Sequence, residues 1–453
     1  MTRTLFGTDG IRGLANAGSM TPEVAFRLGA AVTYLARRRT KHAPRVVIGK
    51  DTRLSGYLFE TSIAAGICAM GGRAMISGPL PTPAIAHLTT TMRADVGIVI
   101  SASHNPFEDN GIKVFGPDGY KLPDAEEIEL EELILGKEID STRPTGLKVG
   151  SAERLDDAPG RYISFVKNAF PSSLTLEGLR VVVDAAHGAA YRVAPLVFSE
   201  LGADVHAIGV KPDGRNINHN VGALHPETCA REVRKRKANL GIALDGDADR
   251  VIILDEHGEQ VDGDAIMALC ATRMIRAGTL KKRTLVTTVM SNLGLERAIE
   301  REKGKLVRTA VGDRYVVEEM RKRGYNLGGE QSGHMIFLDH VTTGDGLVAA
   351  LQLLAIVLRE GRPMSELAKG AMERIPQVLV NVKLPERKPL EELPRTTRAI
   401  HAAEKKLAKK GRVLVRWSGT EAKLRVMVEG PNEATIKSIA NGIADEAKRE
   451  ITA

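Results

Sequence analysis

Short apolar runs alternate with longer segments of helical periodicity along most of the chain. The runs are rich in Val and Ile, as at residues 45–48, 96–100 and 181–183. The helical segments span ten or more residues, as at 58–70 and 189–201. This alternation predicts βαβ units. Because the runs are continuously apolar, we expect helices to cover both faces of each sheet.

The length of 453 residues exceeds what one compact core can hold, so we expect several domains. Polar, turn-rich segments at residues 142–159, 256–258 and 361–376 mark the boundaries. The fold class is α/β, with three related mixed α/β domains and a smaller α+β carboxyl-terminal domain. The predicted domains are 1–155, 156–256, 257–372 and 373–453.

Three segments repeat one arrangement, in which an apolar strand runs into a polar loop. They are residues 96–103, 241–247 and 326–332. Such an internal echo suggests related modules whose loops meet at the carboxyl ends of the strands. The last segment differs, and its predicted elements are strands 413–417 and 424–428 with helices 392–409 and 433–449.

The composition and charge indicate a folded protein that does not bind nucleic acid. Hydrophobic residues make up 43% and charged residues 26%, and the formal net charge is +8. The basic clusters at 37–39 and 234–237 lie at predicted helix ends, where cations complement the helix dipole. Aromatic residues, which stack on bases, make up 4%. We therefore interpret the clusters as solvated helix faces.

The cysteines and the apolar segments bear on the compartment. Cys68, Cys229 and Cys270 are odd in number and far apart, so we expect core thiols and neither a disulfide framework nor a metal cluster. The first ten residues lack the pattern of a signal peptide, and the apolar stretch 347–358 is interrupted by Gln352. We expect a cytoplasmic protein without membrane contact.

Asp245, Asp247 and Asp249 form a candidate metal site. An extended backbone would point these alternate carboxylates to one face, where they could bind one hard cation. A lone Asp would favour a solvated turn, but three between two apolar strands favour a metal. An EF-hand is excluded because Arg250 stands where its glycine is required and both flanks are strands. With few ligands, Mg²⁺ is favoured over Ca²⁺.

Ser103 is a candidate nucleophile on a tight loop, residues 101–106, that follows a strand and ends at a proline. The adjacent His104 suggests a serine hydrolase, but sequence neighbours rarely form a triad and no Gly-x-Ser-x-Gly elbow is present. A phosphoryl carrier needs a hydroxyl, a metal and positioning cations. The three aspartates with Arg250 and Lys113 could supply them.

The loop between the last two strands is a candidate phosphate site. Arginine forks, hydroxyls and exposed backbone amides form an anion nest, although a Ser-Gly pair is also common in hairpin turns. The arginine on each side favours phosphate binding. The candidate residues are Arg416, Ser418, Gly419, Thr420 and Arg425.

Residues 328–334 form a Gly-rich loop with a carboxylate, a hydroxyl and an imidazole: Glu330, Ser332 and His334. These groups suit sugar hydroxyls. Other classes of protein could share the same features. A metal-dependent phosphatase would release inorganic phosphate, and a non-catalytic sugar-phosphate binder would not need Ser103.

Together these motifs resemble the α-D-phosphohexomutases along almost the whole chain. The resemblance implies four domains around a central cleft, with the fourth domain closing over it. The matching segments are 6–13 (the amino-terminal signature), 101–106 (active serine), 245–250 (metal), 330–334 (sugar recognition) and 416–420 with Arg425 (phosphate).

The resemblance also implies a mechanism. Phosphorylated Ser103 donates its phosphate to O1 of a 6-phosphosugar, the 1,6-bisphosphate reorients, and Ser103 recovers the phosphate from O6. The serine phosphate joins the three aspartates as a ligand of one Mg²⁺. The implied catalytic residues are Ser103, His104, Lys113, Arg250 and Arg12.

Residues 7–13, 290–294, 311–315 and Gln331 resemble the members of this family that act on glucosamine phosphates. They favour conversion of glucosamine 6-phosphate to glucosamine 1-phosphate, on the route to UDP-N-acetylglucosamine, with glucosamine 1,6-bisphosphate as intermediate or primer. A phosphomannomutase/phosphoglucomutase is the alternative. A homodimer is implied, and priming by a kinase or by self-phosphorylation is left open. Trp417 and Ala422 depart from the prolines common in the family's phosphate loop.

Overall fold

The first sheet of the computed structural model, which describes residues 4–7, 9–418 and 422–452, has six strands. Gly419 and Thr420, two predicted phosphate-site residues, lie outside the described residues. The elements of this part are β1 (Ile11–Leu14), α1 (Pro22–Arg39), β2 (Arg45–Lys50), α2 (Gly56–Ala69), β3 (Arg73–Pro79), α3 (Thr82–Thr91), β4 (Val96–Ile100), β5 (Asp109–Phe115), α4 (Asp124–Leu135) and β6 (Ser151–Arg154).

The strand order of this sheet is β1-β5-β4-β2-β3-β6. Strands β4, β2, β3 and β6 are parallel, whereas β5 is antiparallel to both of its neighbours. Alternate residues of β2 enter different cores: Val46 and Ile48 join the cluster beneath α1 and α2, and Val47 joins the cluster that includes α3. Helices therefore cover both faces, as the continuous apolarity of the strand predicts.

The second and third sheets have five and four strands, in the orders β11-β10-β9-β7-β8 and β13-β12-β14-β15. Both are mixed sheets, with parallel strands and antiparallel strands at one side. Their elements are α5 (Ala158–Asn168), β7 (Arg180–Asp184), α6 (Val193–Glu200), β8 (Asp204–Ile208), α7 (Pro226–Arg236), β9 (Leu240–Leu244), β10 (Val251–Leu254), β11 (Gln260–Val261), α8 (Gly263–Arg276), β12 (Thr284–Thr288), α9 (Leu293–Arg301), β13 (Lys305–Thr309), α10 (Asp313–Arg323), β14 (Leu327–Gly329), β15 (Met335–Phe337), α11 (Gly346–Glu360) and α12 (Met364–Ala371).

The fourth sheet is antiparallel and has three strands, one more than the sequence analysis predicted. The extra strand, residues 377–383, lies at one edge, and from Val378 its buried or part-buried positions alternate with exposed ones. Two helices pack against the sheet to form a separate apolar cluster. The elements are β16 (Gln377–Lys383), α13 (Pro394–Leu407), β17 (Arg412–Trp417), β18 (Lys423–Glu429) and α14 (Glu433–Thr452).

The internal echo is confirmed as one recurring unit in the first three sheets. In each, a parallel strand runs into a polar loop and returns as an antiparallel neighbour: β4 to β5, β9 to β10, and β14 to β15. The three loops are those that carry Ser103, the three aspartates and Glu330. The fold thus brings related loops to one place.

The structure also describes the cysteines, the basic clusters and the apolar helices. Cys68, Cys229 and Cys270 are free, and the last two are buried. The basic clusters lie in the last turns of α1 and α7, as predicted. Within the described ranges, no helix combines the length and apolarity needed to cross a membrane.

Candidate active site

The three aspartates lie together in the turn between β9 and β10. A carboxylate oxygen of each lies within 4.8 Å of the others, and all three residues are buried. The extended backbone that the sequence analysis assumed is wrong. Residues 245–250 form a turn with Ala248 at φ 57°, because the chain must reverse between two antiparallel strands. The turn, and not strand alternation, makes the carboxylates converge.

Two carboxylate oxygens of this cluster are available to bind a cation. Among the described residues, the buried Oδ1 atoms of Asp247 and Asp249 have no hydrogen-bond partner. The Oδ2 atom of Asp247 accepts from the Thr82 hydroxyl at 2.6 Å and from Lys113 Nζ at 3.0 Å. Burial, with the neighbouring Asp249 and Asp247 charges, raises the pKa of Asp245 well above its usual value. A divalent metal would neutralise these carboxylates, so the donor set fits a hard cation.

Ser103 lies directly against the aspartate cluster. Its Oγ donates to Asp245 Oδ2 at 2.6 Å and lies 3.2 Å from His104 Nδ1. The residue is buried and adopts a left-handed backbone conformation, with φ at 52°. A Cβ atom at Gly246 would lie 2.5 Å from the Ser103 carbonyl oxygen, so only glycine permits this approach of the two loops. The nucleophile candidate and the metal candidate therefore form one site.

Arg53 and Asn218 both donate hydrogen bonds to the main chain of the serine loop. The Arg53 side chain is fully buried and donates to main-chain carbonyls of the loop, including that of Ser103 at 3.0 Å. Asn218 Nδ2 also donates to the Ser103 carbonyl, at 2.9 Å. Neither residue was predicted from the sequence.

Lys113 is the buried cation of the site. Its Nζ lies 3.0 Å from Asp247 Oδ2, 3.4 Å from Asp249 Oδ2 and 3.4 Å from Asp9 Oδ2. Burial works against its charge, but Asp247, Asp9 and Asp249 outweigh burial and raise its pKa. Lys113 is therefore charged and cannot accept a proton in this arrangement.

Two arginines and a neutral histidine also lie at the site. Arg250 Nη1 lies 3.3 Å from His104 Nδ1, and Arg12 pairs with Asp9. Burial, together with the charges of Arg250 and Arg12, lowers the pKa of His104 to about 4. His104 is thus a neutral imidazole, which can form hydrogen bonds with an oxygen without adding charge.

The loop predicted to recognise the sugar adjoins the turn that carries the three aspartates. The Val251 amide donates to the Gly333 carbonyl at 3.1 Å, and His334 Nδ1 lies 3.6 Å from Asp249 Oδ1. Glu330 is buried and Oε1 accepts from the Gly312 amide at 3.0 Å. Ser332 is exposed. The structure therefore brings His334 to the aspartate cluster, bonds Glu330 to the Gly312 amide, and leaves the Ser332 side chain in solvent.

A second set of charges beside His334 was missed by the sequence analysis. Lys121 Nζ lies 2.5 Å from Asp9 Oδ1 and 2.6 Å from Asp313 Oδ2, and Asp313 lies 3.6 Å from His334 Nε2. Burial opposes the charge on Lys121, but Asp313 and Asp9 raise its pKa. Asp9 and Asp313 stood within motifs that the sequence analysis quoted, yet nothing local links them to Lys121.

The predicted phosphate residues lie in the fourth sheet. Arg416 and Arg425 are directly opposite each other on β17 and β18, and both buried Nε atoms are without a partner among the described residues. Burial and the Arg425 charge lower the pKa of Arg416. In the described part of the chain, no hydrogen bond or ion pair joins Arg416, Ser418 or Arg425 to the aspartate cluster.

Three α/β units bring corresponding loops together at a serine and a carboxylate cluster, and a fourth, α+β unit carries paired arginines. This is the architecture of a phosphohexomutase. Four family models cover the chain: the phosphoglucomutase/phosphomannomutase alpha/beta/alpha domains I, II and III at residues 3–140, 160–258 and 262–375, and the C-terminal domain at 379–446. The chain belongs to the phosphoglucomutase/phosphomannomutase family.

Similar proteins agree with this assignment. Phosphoglucosamine mutase of Sorangium cellulosum is 64% identical over 449 residues, which cover 99% of this chain and 94% of that protein. A phosphoglucomutase/phosphomannomutase family protein from Burkholderia thailandensis has the same fold, with a TM-score of 0.81 at 24% identity over 98% of this chain and 97% of that one. N-acetylphosphoglucosamine mutase of Aspergillus fumigatus, in complex with GlcNAc-6P and magnesium, has a TM-score of 0.70 at 18% identity over 99% and 96%.

Proposed function

We propose that this protein interconverts glucosamine 6-phosphate and glucosamine 1-phosphate through a phosphorylated Ser103. The observation that carries the proposal is the 2.6 Å hydrogen bond from Ser103 Oγ to Asp245 inside a buried carboxylate cluster. The amino sugar is supported by full-length relatives named phosphoglucosamine mutase at 56–64% identity. Its product would enter the synthesis of UDP-N-acetylglucosamine in the cytoplasm.

The proposed reaction passes one phosphoryl group through the serine. The Ser103 Oγ–P bond breaks as O1 of the 6-phosphosugar bonds to phosphorus, O1 loses its proton and Ser103 Oγ gains one, which gives the 1,6-bisphosphate and the free serine. After the bisphosphate reorients, Ser103 Oγ recovers the phosphoryl group from O6 and the 1-phosphate leaves. Each transfer is a displacement between two oxygens, so positioning and charge stabilisation carry the catalysis.

The residues around Ser103 take complementary roles in this proposal. Asp245, Asp247 and Asp249 would hold one Mg²⁺, which would offset phosphate charge. Lys113 and Arg250 place positive charge at the transferring group, and neutral His104 forms a hydrogen bond with its oxygen. Arg12 completes the predicted catalytic set beside Asp9.

The remaining site residues bind the substrate. Glu330, Ser332 and His334 contact the sugar, and Arg416, Ser418, Gly419, Thr420 and Arg425 bind the phosphate that is not transferred. The proposal also retains the division of the chain at 1–155, 156–256, 257–372 and 373–453. It includes a homodimer, and priming of Ser103 by a kinase, by self-phosphorylation or by a 1,6-bisphosphate.

The test is a coupled assay with Mg²⁺ and a trace of glucosamine 1,6-bisphosphate, comparing glucosamine, glucose and mannose 6-phosphates. Wild type should form glucosamine 1-phosphate fastest, and Ser103→Ala should be inactive. Ser62→Ala is the matched control, since that exposed hydroxyl donates to the Leu58 carbonyl of its own helix.

Each other outcome contradicts a stated part of the proposal. Preference for glucose or mannose 6-phosphate would overturn the substrate. Release of inorganic phosphate would indicate a phosphatase. Full activity in Ser103→Ala would overturn the phosphoserine mechanism.

A further inference from the structure

Arg53 lies beneath the serine loop with its guanidinium fully buried. All five of its N–H donors have acceptors. Nε donates to Asp51 Oδ2 at 2.8 Å, and Nη2 donates to the carbonyls of Ser103 at 3.0 Å and Asn105 at 2.8 Å. Nη1 donates to the carbonyls of Pro106 and Asp109. One side chain therefore fixes four main-chain carbonyls over a seven-residue stretch.

A second connection leads from the same arginine to the Ser103 amide. Asp51, which pairs with Arg53, also accepts from the Ser101 hydroxyl at 2.6 Å. The Ser101 oxygen in turn accepts from the Ser103 N–H at 2.9 Å. Both the amide and the carbonyl of Ser103 are thus tied to one buried ion pair.

This double tie matters because Ser103 has an unfavourable backbone conformation. A non-glycine residue at φ 52° persists only when its surroundings impose that conformation. Without the ties, the loop could relax and move Oγ away from Asp245. A displacement of about 1 Å at a reacting atom can reduce a rate about 10²-fold.

We propose that Arg53 is a positioning residue that holds Ser103 Oγ in line for phosphoryl transfer through these main-chain bonds. The inference rests on the proposed function. Among the described residues, Arg53 bonds to Asp51 and to main-chain carbonyls within 103–109, and to no side chain of the predicted sugar or phosphate sites. We therefore expect its effect to fall on the transfer step and not on substrate binding.

The test replaces Arg53 by Lys, which keeps a cation but has three donors on one nitrogen instead of a planar fork of five. The matched control is Arg27→Lys. Arg27 donates to the carbonyls of Leu133, Ile134 and Gly136 at the end of α4, outside the active site. For each variant, kcat and KM are measured, and phosphorylation of Ser103 by a hexose 1,6-bisphosphate is followed by intact-protein mass spectrometry.

We expect Arg53→Lys to lower kcat and the rate of Ser103 phosphorylation about 10²-fold, with KM within about twofold of wild type. Arg27→Lys should keep both rates even where its melting temperature falls. If Arg53→Lys does not fold, Ser101→Ala decides the question, because it breaks the connection to the Ser103 amide and leaves the arginine in place.

Unchanged kcat and phosphorylation in the folded variant would overturn the inference, as would a raised KM at unchanged kcat. A wild-type enzyme that turns over no hexose phosphate would instead count against the proposed function. The two failures are therefore distinguishable.

Discussion

Thr82, the first residue of α3, contacts Asp247, one of the three candidate metal ligands. Its hydroxyl donates to Asp247 Oδ2 at 2.6 Å, and its amide donates to the Asp247 carbonyl at 3.0 Å. These bonds orient Asp247 so that Oδ1 is left for a cation. Substituting a group that orients a metal ligand typically lowers the metal affinity by about 10- to 100-fold.

We therefore expect Thr82→Val to weaken metal binding about tenfold, measured by calorimetry with Mg²⁺ or by Mn²⁺ resonance. Thr89→Val is the control on the same helix, since its buried hydroxyl bonds only to the Ile85 carbonyl. Equal affinities in Thr82→Val and Thr89→Val would show that Asp247 does not depend on the Thr82 hydroxyl.

Asp264, at the start of α8, has a destabilising charge at neutral pH. Burial raises its pKa from 3.8 to about 6, although Oδ2 accepts from the Asn292 amide. The folded state therefore binds the proton more tightly than the unfolded state. Folding stability falls as pH rises from about 4 to about 6, and the cost persists above that window.

Asp264→Asn removes this charge while it keeps a side-chain oxygen for the Asn292 amide. Relative to wild type, we expect the variant to gain on the order of 2 kcal/mol between pH 4 and pH 7, measured by denaturant unfolding at several pH values. A difference that does not change across that window would contradict a raised Asp264 pKa.

Single residues could be predicted where their motif is contiguous. Ser103 and the three aspartates each follow an apolar strand, and local spacing indicates their chemistry. Arg53 and Thr82 act on partners 50 and 165 positions away in sequence, and only the tertiary fold shows those contacts. An isolated Arg or Thr carries no local signal of its partner.

At the scale of elements, Arg314 joins α10 to α4 and to the segment that precedes it. Its Nη2 donates to Glu127 Oε1 at 2.5 Å and to the Leu122 carbonyl at 3.1 Å, and Nη1 donates to Glu127 Oε2 at 3.1 Å. Both side chains are almost fully buried. Such a bidentate buried pair fixes the start of α10, and with it Asp313 beside Lys121.

Breaking a buried ion pair on one side costs about 3 kcal/mol or more, so Arg314→Met should lower the unfolding free energy by about that amount. In a cycle with Glu127→Gln, the double variant should be more stable than the sum of the single changes predicts. Arg323→Met, which removes an exposed pair with Glu319 on the same helix, should cost less than about 1 kcal/mol. Additive effects in the cycle would contradict this link between α10 and α4.

Most elements could be predicted from periodicity, with ends displaced by a few residues. The strand at 96–100 agrees in full with β4, whereas the helix expected at 189–201 is the shorter α6. Strand β16 was missed, although Val378, Val380 and Val382 alternate with other residues, because the preceding turn-rich segment was taken as a boundary. The turn at Asp245 was misjudged because its shape depends on the pairing of β9 with β10.

At the scale of the whole molecule, a group of hydrogen bonds near the start of α9 attaches the fourth unit to the third. Glu429 is buried and accepts from the Leu293 amide at 3.2 Å, and Asn292 exchanges two hydrogen bonds with Ile375. Arg412 pairs with Glu429 and also donates to the Ser291 carbonyl. Residues 290–294, quoted above only for their resemblance, thus form the junction about which the fourth unit could turn.

Closure of that unit is the last prediction, and the paired arginines supply its driving force. Arg416 and Arg425 are like charges held side by side, so a phosphate dianion between them would relieve repulsion and satisfy both forks.

With substrate, the radius of gyration from small-angle scattering should fall, and Arg425→Ala should abolish the fall and raise KM about tenfold or more. Arg398→Ala, an exposed arginine on α13, should close like wild type. Identical scattering with and without substrate would contradict the closure hypothesis. The fourth unit would then stay open with phosphate bound, and the cleft would be exposed to water during transfer.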